Sequence, residues 1–136
     1  LTEMQAAMGV VQLGRLPSFL AARANNWRFL AANLPKPMRS DGGSHYAFSF
    51  FPATKNVSRE TIRERMRKDG IETAVYYQHV VPMLPYYVRK YGYRAGQFPI
   101  AERIAAESLT LPVGPHLKAG DLERMVKSYD DAIKRA

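Results

Sequence analysis

Three histidines, eight tyrosines and no cysteine set the range of chemistry open to this 136-residue chain. Histidine can move protons or bind metal near neutral pH, and a tyrosine hydroxyl can donate and accept hydrogen bonds. His45, His79 and His116 lie far apart with no HxH or HExxH spacing, so no local framework for a metal centre is visible. The missing cysteines exclude a disulfide framework, thiolate metal sites and a cysteine nucleophile, and they fit a reducing, cytoplasmic setting. No GxSxG elbow marks a serine nucleophile, and Gly42-Gly43 lacks the spacing and the preceding strand of a phosphate-binding loop. What remains is a set of polar aromatics and histidines at predicted strand ends: His45 and Tyr46, then Tyr76, Tyr77 and His79. Ligands are commonly met at such ends and in the loops that follow them. The same residue types also serve as core or subunit-interface residues with satisfied hydroxyls.

The formal net charge is +8. Clustered Lys and Arg would favour a nucleic acid through counterion release. The best cluster is Arg59, Arg63 and Arg67, four apart and therefore on one stripe of a helix, but Glu60, Glu64 and Asp69 dilute it. The pattern reads as a solvated amphipathic helix, with an autonomous basic binding module as the alternative and no nucleic acid as the expected partner. An acidic, phosphate-bearing small substrate would gain from the same positive field. No apolar run approaches the ~20 residues of a membrane-spanning helix, so no membrane partner is expected.

These candidate residues need elements to hold them. Thr2 and Gln5 have capping-box spacing, and Met4, Ala7, Met8 and Val11 recur at helical intervals. Pro17 predicts a second helix or a kinked continuation, with Leu20, Ala24, Trp27, Ala31 and Leu34 as its apolar stripe. Two prolines and two glycines between Pro35 and Gly43 end this helical arm, dividing an arm at 1–35 from a small domain at 36–136. His45–Phe51 reads as a strand with Tyr46, Phe48 and Phe50 on one face. Ser58 caps a helix with Ile62 and Met66 turned inward, and Gly70 stops it. Ile71–Tyr77 reads as the next strand, and Ser108–Val113 as a third. Between them Gln78–Gln97 reads as a long irregular segment dense in Tyr and Pro, and Pro99 opens a short helix. The last helix carries Leu122, Met125, Val126, Tyr129 and Ile133 at near-ideal spacing. The expected fold is α/β of the α+β kind: a helical arm, then a small three-stranded sheet covered by helices. The arm's apolar stripes have no large partner in this chain, so self-association is expected.

Five segments also resemble, in order, the DegT/DnrJ/StrS-type sugar aminotransferases, enzymes of fold type I that use pyridoxal phosphate. They are LTEMQAAMGVVQLGRL (Leu1–Leu16), SHYAFSF (Ser44–Phe50), GIETAVYY (Gly70–Tyr77), YGY (Tyr91–Tyr93) and FPIAERIAAESLTLPV (Phe98–Val113). The resemblance implies the carboxy-terminal small domain of a homodimeric enzyme that moves an amino group from a donor such as glutamate to a nucleotide-linked keto sugar. It also implies that the cofactor's lysine lies upstream of Leu1. None of Lys36, Lys55, Lys68, Lys90, Lys118, Lys127 or Lys134 sits in the family's lysine motif, so the chain alone is expected to be inert. By the same resemblance His45, Tyr46, Tyr76, Tyr77 and His79 lie near the nucleotide-sugar or cofactor cleft. A sugar dehydratase of the same family is the alternative activity.

Overall fold

A computed structural model describes residues 2–38, 43–52 and 56–134 of the chain. The first helix, α1, runs Glu3–Asn33 and opens on the expected capping box: the Gln5 N–H donates to Thr2 Oγ1 at 3.3 Å, and the Thr2 N–H to Gln5 Oε1 at 3.0 Å. Pro17 lies inside this single helix and starts no second one. It is exposed, as is Leu13 one turn earlier, so the carbonyl that loses its intrahelical donor faces water. Packing then holds the helix beyond it. Trp27 and Leu30 are buried, as is Leu34 just past the helix end, and Ala31 packs against them. Leu30 was not part of the expected stripe.

Strand β1 (Phe48–Phe50) pairs antiparallel with β2 (Leu109–Leu111), with Phe48 opposite Leu111, Ser49 opposite Thr110 and Phe50 opposite Leu109. The Ser49 and Thr110 hydroxyls share a hydrogen bond of 2.8 Å across the pair. The strand expected at Ile71–Tyr77 is corrected to a single bridge, in which Ala74 and Thr110 exchange two 2.9 Å backbone bonds. Pro37 bridges Phe50 on the opposite edge. Both faces of β2 are covered, because Leu109, Thr110 and Leu111 are all buried. The expected alternation fails there for that reason.

Helix α2 (Arg59–Lys68) follows its Ser58 cap, whose Oγ accepts the Thr61 N–H at 3.1 Å, and it turns Ile62 and Met66 fully inward. It ends in a Schellman turn: the Gly70 N–H reaches the Arg67 carbonyl and the Ile71 N–H the Met66 carbonyl, each at 3.0 Å. Gly70 has φ +77°, and a Cβ there would stand 3.0 Å from an Arg124 nitrogen. Gly70→Ala is therefore expected to destabilise the chain by about 1–2 kcal/mol, the cost of a left-handed backbone at a residue with a Cβ. A lowered urea midpoint would register it, and an unchanged midpoint would refute the role given to this turn.

The predicted irregular segment is more ordered than its composition suggested. A 3-10 turn at Val81–Met83 leads into α3 (Pro85–Tyr91), which closes at Gly92 with φ +68°. Pro82 and Pro85 sit in first turns, where a missing N–H costs nothing. Tyr86, Tyr87, Tyr91, Tyr93 and Phe98 form a ladder of successive ring contacts at 5.1–6.2 Å. The Glu102 carboxylate then accepts the Gly96 and Phe98 N–H groups at 2.9 and 3.0 Å, fixing the entry to α4 (Pro99–Glu107). Helix α5 (Ala119–Lys134) packs on α2 and α1 and buries Leu122, Met125 and Tyr129. One aromatic chain runs through the core, from Trp27 to Phe48, Phe50 and Tyr129 at centroid spacings of 5.8, 5.4 and 5.4 Å.

The amino-terminal half of α1 takes no part in this core. Met4, Met8, Val10, Val11, Leu13 and Leu16 are all exposed, on two opposed sides of the helix. The expected stripe of Met4, Ala7, Met8 and Val11 is therefore only one of two uncovered apolar faces.

Candidate functional site

His45 sits where the chain turns into β1. Its φ of +45° follows Gly43 at +77°, a left-handed conformation that a residue with a Cβ adopts only under constraint. Its ring packs 5.4 Å from the Trp27 ring at 57°. Tyr46 is 68% exposed, and the Arg23 guanidinium lies over its ring at 5.9 Å. Arg23 Nε is buried and has no hydrogen-bond partner among the described residues. This group thus combines a half-buried imidazole with an exposed phenol hydroxyl whose ring lies under a guanidinium charge, which suits a ligand rich in hydroxyl or phosphate oxygens.

Sequence reasoning passed over Arg23. The available signal was its position four residues before Trp27, which puts both on one face of α1. The apolar stripe drew the reading to its aliphatic members instead.

Tyr76 and Tyr77 form a second group, with rings 6.2 Å apart and exposures of 46% and 78%. His79 is exposed, and its side chain makes no hydrogen bond, ion pair or ring contact with the described residues. The register separates the two groups. Ser49, Thr110 and Ala74 lie side by side, and β1 and the Ala74 segment both run antiparallel to β2. His45 and Tyr46 precede that row, whereas Tyr76 and Tyr77 follow it.

The arginine stripe is partly consumed by the fold. Arg59 Nη1 donates to the Ala105 carbonyl at 2.7 Å, taking up an acceptor at the carboxy-terminal end of α4. Arg63 pairs with Glu60 at 2.7 Å. Desolvation raises the Glu60 pKa, but the hydrogen bond from Arg59 and the charge and hydrogen bond of Arg63 together carry it below the usual carboxylate value. Every described lysine is exposed; Lys55 lies outside the described residues. No described helix is long and apolar enough to cross a membrane.

Comparison with known proteins supplies what this geometry leaves open. The spore coat polysaccharide biosynthesis protein SpsC of Bacillus subtilis is 26% identical over 98% of this chain and 37% of its own length. The dTDP-3-amino-3,4,6-trideoxy-alpha-D-glucose transaminase of Streptomyces venezuelae is 28% identical over 99% of this chain and 36% of its own. The crystal structure of S. venezuelae DesV in complex with a ketimine intermediate superposes with a TM-score of 0.82 at 27% identity, covering all of this chain and 38% of that one. The chain therefore spans a little over a third of the length of the relatives it matches. With the family model matching residues 1–130, the chain belongs to the DegT/DnrJ/EryC1/StrS aminotransferase family.

Proposed function

We propose that this chain is the carboxy-terminal part of a pyridoxal-phosphate-dependent aminotransferase acting on a nucleotide-linked keto sugar, and that it does not transaminate alone. The observation that carries the reading is the family match along residues 1–130, joined to relatives named as transaminases of nucleotide-linked sugars. When bound, pyridoxal phosphate supplies the electron sink for amino transfer. The described residues of this chain do not suit it by themselves, since each described lysine is exposed. The chain's own contribution is to shape the cleft. The Tyr46 hydroxyl would donate to oxygens of the nucleotide-sugar, with the Arg23 guanidinium against its ring and His45 held against Trp27 beside it. Tyr76, Tyr77 and His79 form the other wall on this reading, and glutamate serves as amino donor.

The division into an arm at 1–35 and a small domain at 36–136 follows from the same reading. The two apolar faces on the amino-terminal half of α1 would be covered by the rest of the parent enzyme and its dimer partner. A cytoplasmic homodimer is the form proposed. Incubating the 136-residue chain with pyridoxal phosphate and reducing with borohydride is expected to give no stoichiometric adduct at any one lysine, as peptide mass mapping would show. A single-site adduct accompanied by amino transfer to a keto sugar would overturn the claim that the chain is inert.

A further inference from the structure

Every residue of α1 from Ala7 to Ser18 is exposed, whereas half-buried and buried residues recur from Phe19 onward. The core therefore holds only the second half of the helix, through Trp27, Leu30 and the Asn26 side chain, whose Nδ2 donates to the Gly114 carbonyl at 2.9 Å. Just before that hold begins, one turn collects three residues that weaken a helix. Gly14 has the freest backbone of any residue type, and nothing beyond its own turn lies within 4 Å of where a Cβ would stand. Pro17 brings no N–H to the Leu13 carbonyl, and its ring crowds that carbonyl. The Ser18 hydroxyl donates to the Arg15 carbonyl at 2.8 Å, a side-chain bond that competes with the backbone ladder and favours bending. Sharp kinks in helices fall at proline and at Gly and Ser pairs. Of the Gly, Pro and Ser residues in α1, only Gly9 stands outside this turn.

We propose that α1 bends at Gly14–Ser18, as a hinge between two helical segments. The segment before the hinge carries the two uncovered apolar faces, and its capping box at Thr2 and Gln5 keeps it helical as it swings. The segment after it carries Arg23 and Trp27, which lie against Tyr46 and His45. Bending at this turn moves the His45–Tyr46 group and the sheet behind it as one body, relative to whatever holds the first segment. The proposal rests on α1 alone and does not depend on the aminotransferase reading.

The chain has no cysteine, so a pair of nitroxide labels can be placed at chosen sites. Ala7→Cys and Ala32→Cys, at two exposed positions, put one label on each side of the hinge, about 37 Å apart on a straight helix at ~1.5 Å per residue. Pulsed electron spin resonance is made on the doubly labelled 136-residue chain, diluted with unlabelled chain so that only distances within one molecule are read. The distance distribution is expected to be broad and to extend below the straight-helix value. Adding Pro17→Ala or Gly14→Ala should each narrow it toward that value. Gly9→Ala is the control, because Gly9 also has open space around it and the same substitution raises helix propensity equally. A first segment that merely frays would be repaired by Gly9→Ala as much as by Gly14→Ala, whereas a hinge responds only to changes within its own turn. The proposal is overturned if the labelled chain shows one narrow distance, if either Pro17→Ala or Gly14→Ala leaves the width unchanged, or if Gly9→Ala narrows it as much as Gly14→Ala.

Discussion

Phe50→Ala is expected to lower the unfolding free energy by about 3–5 kcal/mol, the range for deleting a buried aromatic ring. Phe50 is fully buried, faces Leu109 in the β1–β2 register, bridges Pro37 on its other side, and holds Phe48 and Tyr129 in ring contact at 5.4 Å each. One truncation therefore opens a cavity where the sheet, α5 and the chain leaving α1 meet. Urea unfolding should show a lower midpoint with an unchanged slope. A loss below about 1 kcal/mol would mean the surrounding rings collapse into the space, and would contradict a core built around this aromatic chain.

Two leucines on one helix supply the second large contrast. Leu30 is 0% exposed and Leu13 is 68% exposed, although both belong to α1. Leu30→Ala is expected to cost about 2–5 kcal/mol, because it removes a fully buried member of the core cluster and leaves a cavity. Leu13→Ala should change stability by less than about 0.5 kcal/mol, since it deletes only solvent-facing surface and alanine is an equally good helix former. The comparison is made on the 136-residue chain by denaturant unfolding. If Leu13→Ala costs as much as Leu30→Ala, the amino-terminal half of α1 is already covered in solution, and the uncovered faces described above are wrong.

Local signals in this sequence translate directly into structure. The Thr2/Gln5 capping box, the Ser58 cap, the Gly70 stop and the inward Ile62 and Met66 all depend on groups within a few residues of one another. Such contacts are specified by spacing alone. The inward face of α5 was legible for the same reason. Pro17 left a second helix or a kinked continuation both open, and the helix continues, because a proline's cost in a helix depends on whether the carbonyl it leaves unpaired can reach water. That is a question of exposure. The Ile71–Tyr77 run has strand-like alternation, yet only Ala74 finds a partner. A ladder needs a neighbour in register along its length, and β2 is itself only three residues long.

The candidate site divides along the same line. Residue types and resemblance marked His45, Tyr46, Tyr76, Tyr77 and His79, but strand pairing placed the first two and the two tyrosines at opposite ends of the Ser49–Thr110–Ala74 row. Arg23 entered the site through the place of its guanidinium over the Tyr46 ring, which no spacing rule reports. Arg59 left the basic stripe to donate to the Ala105 carbonyl, 46 residues away in the chain. By itself, then, the sequence determined the helices with their caps, the absence of thiol chemistry and the family-like order of segments. Only the tertiary structure decided how many strands form, which half of α1 is buried and which charges are already spent. Those outcomes depend on long-range pairing and on access to water, and both arise only when distant parts of the chain meet.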